Sequence, residues 1–132
     1  MNKYIMISTA AIVLASSPAL ADNVTTVIMG GNNNAAAIHQ SGRSNSVGVA
    51  QIGRNGTATM EQVGRNNAAG VFQAGRGNVA VSAQAGRNNV LGVDQGGRNN
   101  TVGAFQVGHN NDIDALIGGR NNVFIGTQLR RR

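Results

Sequence analysis

The stretch Asn67-Ala68-Ala69-Gly70-Val71-Phe72-Gln73-Ala74-Gly75-Arg76-Gly77-Asn78 holds one complete unit of the chain and the first residue of the next. Its first seven residues, Asn67 to Gln73, read as a strand. A pleated strand sends alternate side chains to opposite faces. Asn67, Ala69, Val71 and Gln73 therefore share one face, and Ala68, Gly70 and Phe72 the other. The next four, Ala74-Gly75-Arg76-Gly77, read as a turn, because Gly permits positive φ and Asn tolerates the left-handed region.

The same pattern extends in both directions. Glutamine recurs every 11 residues at Gln40, Gln51, Gln62, Gln73, Gln84, Gln95 and Gln106 and returns at Gln128, with Ile117 filling the one gap. Glycine follows two places on, at Gly42, Gly53, Gly64, Gly75, Gly86, Gly97 and Gly108, and Gly31 and Gly119 hold the same column. Next comes a base: Arg43, Arg54, Arg65, Arg76, Arg87, Arg98, His109, Arg120 and Arg131. Two places further comes asparagine: Asn23, Asn34, Asn45, Asn67, Asn78, Asn89, Asn100, Asn111 and Asn122, with Gly56 the exception. Asn23 to Arg132 makes ten units of 11, so the repeat fills the chain after residue 22 and leaves no second domain or linker. Such fixed self-similarity marks a solenoid or array.

The face carrying Asn and Gln also carries the apolar residues, and we assign it inward. Its fourth position reads Val27, Val49, Val71, Val93 and Ala115 in alternate units, and Ile38, Met60, Ser82, Ala104 and Gly126 in the units between. Residues sort better at 22 than at 11. The expected fold is all-β: a β-solenoid of five 22-residue strand–turn–strand–turn coils, with two parallel sheets facing each other across a thin core. Like strands stack ~4.8 Å apart. Buried amides must be hydrogen-bonded. Stacked at one strand spacing, each Asn and Gln can donate to the amide above and accept from the one below, the ladder of cross-β structures. The competing reading is of solvated amides in a disordered Gly/Asn-rich chain.

Residues 1–21 read as a cleaved export signal. Lys3 is the basic start, Ile5 to Ala15 the apolar stretch, Ser16-Ser17-Pro18 a breaker and Ala19-Leu20-Ala21 a small-residue cleavage site. The apolar stretch is shorter than the ~20 residues of a spanning helix. The mature chain, 22–132, carries ten Arg against five acids.

Composition narrows the function. The 132 residues include no Cys, two His and five acids, so thiolate chemistry is absent and an acid–base or metal enzyme has few parts to use. With 3% aromatic residues, an ordinary small core lacks its usual bulk. We expect no enzyme and no cofactor.

The pattern Asn-x-Ala-x-x-x-Gln-x-Gly-x-x-Asn of residues 67–78, repeated in register from Asn23 to Arg132, resembles the curlin repeat. Curlins are subunits of curli, the extracellular functional amyloid of bacterial biofilms. The resemblance implies secretion through a dedicated outer-membrane pore with accessory proteins. It also implies polymerisation with like chains and other curlin subunits at the cell surface, and roles in adhesion and the biofilm matrix. Two features depart from the major curlins. The repeat starts directly at Asn23, with no polar segment before it, and the end Gln128-Leu129-Arg130-Arg131-Arg132 is similar to the basic final repeat of the minor, nucleating curlin. The reading leans towards a nucleator-like subunit.

Other residues carry weaker signals. Asp112 and Asp114 share the outer face but lack a third ligand, and they read as charged gatekeepers against strand-edge sticking. Phe72 and Phe105 face outward on opposite sheets, either packing fibrils laterally or standing as scattered surface residues. At 22 residues per coil the bases form two lines: Arg43, Arg65, Arg87, His109, Arg131 and Arg54, Arg76, Arg98, Arg120, with Arg130 and Arg132 beside the first. A line of positive charge matches polyanions such as extracellular DNA or acidic polysaccharide, or serves solubility alone. A secreted, monomeric polyanion-binding repeat protein is the alternative function.

Overall fold

The computed structural model describes residues 22–130 and the backbone of residues 10–16. The strands run in chain order as β1 (Ala10–Ser16), β2 (Val24–Asn32), β3 (Asn34–Arg43), β4 (Ser46–Arg54), β5 (Thr57–Arg65), β6 (Ala68–Arg76), β7 (Val79–Arg87), β8 (Val90–Arg98), β9 (Thr101–His109), β10 (Asp112–Ile117) and β11 (Val123–Arg130). Strands alternate between two sheets. One has the order β1-β3-β5-β7-β9-β11, the other β10-β8-β6-β4-β2. All pairings are parallel, and from β2 onward every register is an offset of 22, as in Val49 with Val71 and Val71 with Val93. The chain is a β-solenoid of five 22-residue coils.

The core forms because the inner columns are apolar and alternate in bulk. Val27, Val49, Val71, Val93 and Ala115 of one sheet, with Val47, Ala69, Leu91 and Ile113, face Ala36, Ala58, Ala80 and Val102 and Ile38, Met60 and Ala104 of the other. Larger residues on one sheet meet smaller ones opposite, and a gap of side-chain thickness closes without aromatics. Phe124 packs against the end of this cluster and stays partly exposed, because β11 is the last strand of its sheet.

Two details differ from the sequence reading. Most strands are longer than Asn-to-Gln: they begin after the Asn, or on it in β3, and run on through the Gly and the base, so that Arg54 pairs with Arg76 and Arg76 with Arg98, whereas β10 stops at Ile117. From β2 to β10 the chain reverses within the one or two residues left between strands, which is possible because two positive-φ residues flank the base, and residues 118–122 make the longer connection from β10 to β11. The other difference is β1. This apolar segment, read from sequence as part of an export signal, lies parallel along β3, pairing Ala10 with Asn34 and Ser16 with Gln40, an offset of 24. The outer edge of β3 would otherwise present unpaired N–H and C=O groups, and an apolar strand satisfies them. The expected cleavage site Ala19-Leu20-Ala21, together with Lys3, Arg131 and Arg132, lies outside the described residues.

Candidate functional site: stacked amides, turn columns and coil edges

The glutamines form two ladders. In the six-stranded sheet, Gln40 Nε2 donates to Gln62 Oε1 at 3.0 Å, Gln62 to Gln84 at 2.7 Å, Gln84 to Gln106 at 2.7 Å and Gln106 to Gln128 at 3.5 Å. In the five-stranded sheet, Gln51 donates to Gln73 at 2.7 Å and Gln73 to Gln95 at 2.6 Å. All donate towards the C-terminal end, so each ladder has a direction. Most of these amides use their second N–H on a backbone carbonyl 16 residues back, at the start of the opposing sheet's strand. Gln62 reaches Ser46 O at 3.1 Å, and Gln106 reaches Val90 O at 2.7 Å. Each glutamine thus ties coil to coil and sheet to sheet, with Gln62, Gln95 and Gln106 fully buried.

The asparagines are wired differently from an amide ladder. Asn67 Nδ2 donates to Val63 O, four residues back, and to Gly86 O in the next coil, both at 3.3 Å, while its Oδ1 accepts the backbone N–H of Asn89 at 3.2 Å. Asn34, Asn45, Asn78, Asn89 and Asn100 repeat this arrangement. Asn23, at the start, donates to Gly42 O. Among the described residues of this inward column, direct Asn–Asn amide bonds run from Asn111 to Asn89 at 3.1 Å and from Asn122 to Asn100 at 3.2 Å, and in the exposed column one residue earlier Asn88 donates to Asn110 at 3.3 Å and Asn99 to Asn121 at 3.5 Å. The cause is geometric. Asn is one methylene shorter than Gln and sits where the chain turns, so turn carbonyls come within reach before the next amide does.

The turn glycines are held by close stacking as well as by φ. Gly53 has φ 131, and a Cβ there would meet Gly75 O at 1.9 Å. The same approach recurs up both edges through Gly31, Gly42, Gly64, Gly75, Gly86, Gly97 and Gly108. At Gly119, past the gap in the glutamine column, the nearest atom is the Asn122 amide nitrogen at 3.4 Å. The sequence reading missed a second column, the residue just after the base. Asn33, Ser44, Asn55, Asn66, Asn88, Asn99, Asn110 and Asn121 all have φ between 55 and 57, and Gly77 completes the column at φ 67. Its composition of Asn, Ser and Gly only was the signal that could have found it.

The bases line the two coil edges. Arg43, Arg65, Arg87 and His109 pair in register along one. Asn32, Arg54, Arg76 and Arg98 do so along the other, and Arg98 bridges to Arg120. All of these side chains are exposed. Gly53, Gly75 and Gly97 with Arg54, Arg76 and Arg98 line a shallow groove. Arg130 Nη1 donates to Asn110 O at 3.3 Å, anchoring the start of the basic end. The acids sit elsewhere: Glu61 faces out beside His39, and Asp94, Asp112 and Asp114 face out on the opposite sheet. Phe72 and Phe105 are about 40% exposed on the two outer faces.

A parallel β-solenoid whose coils are joined through buried glutamine ladders and asparagine-stapled turns is a repeat protein of the stacking, structural kind. The model of the curlin associated repeat matches residues 31–64 and again 64–97. The chain belongs to the curlin family. No curated protein matches it.

Proposed function

We propose that the chain is a secreted subunit of an extracellular curli-type amyloid fibre that serves adhesion and the biofilm matrix. It is exported by a cleaved leader, residues 1–21, passes an outer-membrane pore with accessory proteins, and stacks with like chains and other curlin subunits at the cell surface. The carrying observation is the solenoid's open C-terminal end. Among the described residues β10 and β11 are the last strands of the two sheets at this end, and the inner residues Phe124, Gly126 and Gln128 are half-exposed where their equivalents one coil earlier are buried. A sheet edge bearing ordered ladder amides is a template for another strand. The test is incubation of the purified mature protein. Fibres that bind an amyloid dye and diffract with a ~4.8 Å meridional spacing are expected. A stable, dye-negative monomer at high concentration overturns the reading.

The basic end supports a nucleator-like role within that assembly, with the Arg cluster held by an anionic surface. The exposed Arg lines supply a second reading, a polyanion-binding surface for extracellular DNA or acidic polysaccharide. A monomer that binds such polymers without forming fibres would favour it.

A further inference from the structure

The two glutamine ladders end differently. In the six-stranded sheet the column is complete from Gln40 to Gln128. In the five-stranded sheet it is cut at both ends: Met29 pairs with Gln51, and Ile117 pairs with Gln95. The cut leaves Gln51 Oε1 buried without a hydrogen-bond donor. Both replacing residues are themselves buried, at 4% and 9% exposure, within the apolar cluster. A buried orphan acceptor destabilises the coil that contains it, so within one chain Met29 gains its apolar burial at the expense of a hydrogen bond that Gln there would make.

Continuing the solenoid from one chain into the next gives the two changes a common purpose. With the 22-residue coil maintained, β2 of the second chain follows β10 of the first, and β3 follows β11. Met29 of the second chain then stacks on Ile117 of the first, apolar on apolar. In the other sheet Gln40 stacks on Gln128, and the amide series continues in its observed direction, from Gln128 Nε2 to Gln40 Oε1. The shapes agree as well. The Phe124 ring lies over Gly126, where a Cβ would meet it at 2.9 Å. In the continued stack Ala36 follows Phe124 and Ile38 follows Gly126, small on large and large on small.

We infer that the chain end is a keyed surface whose partner is a second copy of this chain in a single register, with Met29 and Ile117 as the key. Resting on the fibre reading, it adds what the junction selects. A curlin-repeat chain with Gln at either terminal position of this column places a buried amide against an apolar side chain and is rejected. A one-coil slip is rejected for the same reason, because it sets Met29 against Gln95 or Ile117 against Gln51.

The test is seeded elongation of the mature protein, with four variants compared with wild type. Met29→Gln supplies the donor that Gln51 Oε1 lacks, so its coil stays at least as stable, yet it sets an amide against Ile117 at the junction. Elongation on its own seeds is expected to fall about tenfold. Ile117→Gln is expected to do the same from the other side. The double variant M29Q/I117Q restores a continuous ladder and should elongate on its own seeds at about the wild-type rate, while wild-type monomer adds to those seeds about tenfold more slowly. Met29→Leu keeps the junction apolar and should match wild type. Single variants that elongate normally, or a double variant no faster than the slower single, overturn the key while leaving the fibre reading intact. Wild type that never elongates on its own seeds overturns the fibre reading and the key with it.

Discussion

Gln73 donates its amide N–H to Gln95 Oε1 at 2.6 Å across one coil, and its second N–H to Thr57 O at 3.1 Å in the opposing sheet. One side chain thus joins coils along the axis and sheets across the core. Replacing Gln73 by Ala strands the donor of Gln51 below and the acceptor of Gln95 above, and each orphaned group costs about 1–3 kcal/mol. Fibre formation should slow markedly, and the denaturation midpoint should drop. Ser46→Ala on the outer face is the control and should leave both within error. Equal effects from the two would mean that the ladder is not what orders the coils.

The left-handed column gives a second expectation. Asn55 has φ 57, a region that β-branched residues avoid at about 1–2 kcal/mol. Asn55→Val should therefore slow polymerisation, and Asn55→Gly should be nearly neutral. Gly75→Ala, two residues before the same column, should be far worse than either, since its Cβ would lie 1.9 Å from Gly97 O. Thioflavin kinetics on the three variants would rank them, and any other order would argue against the turn geometry.

Much of this was legible in the sequence for one reason: a period of 11 with alternating columns of different bulk leaves few ways to stack. Sorting Val49, Val71 and Val93 apart from Met60 and Ser82 gave the 22-residue coil. The hydrogen-bond wiring was less legible. Asn67 and Gln73 look equivalent as inward amides, and only their distance from the turn carbonyls makes one a turn staple and the other a ladder rung. Strand ends were hidden as well, because a glycine such as Gly53 reads as turn material yet stays in the pairing ladder at φ 131. The pairing of β1 with β3 has no trace in the repeat at all, since its offset of 24 falls outside the period.

Ser82 is a built-in weak point. Its hydroxyl is buried without a hydrogen-bond partner, in a column that otherwise reads Ile38, Met60, Ala104 and Gly126. Ser82→Ala removes the orphan and matches the next residue in the column. It should stabilise the fold by about 1 kcal/mol, seen as a higher guanidinium midpoint. A lower midpoint would show that the hydroxyl has a partner in solution.

Strand β1 should matter to assembly. β1 lies along the edge of β3, where β11 of a preceding chain would have to pair. Protein retaining residues 1–21 should therefore add poorly to wild-type seeds through that edge, and leader removal by a protease should restore the rate. Equal rates before and after cleavage would mean that β1 leaves the edge freely.

The basic end separates the nucleator-like role from that of the bulk subunit. Leu129 and Arg130 still pair with Val107 and Gly108, so deleting them would also shorten the last strand. Substituting Arg130, Arg131 and Arg132 by Ser keeps the backbone and removes three positive charges. If those charges hold the chain on an anionic cell surface, the variant should polymerise in solution at or above the wild-type rate, because like-charge repulsion at that end is relieved. It should be released from cells into the medium, and high salt should release the wild type in the same way. Should the variant stay on cells while losing the ability to polymerise, the arginines act within the fibre, and the nucleator-like role loses its support.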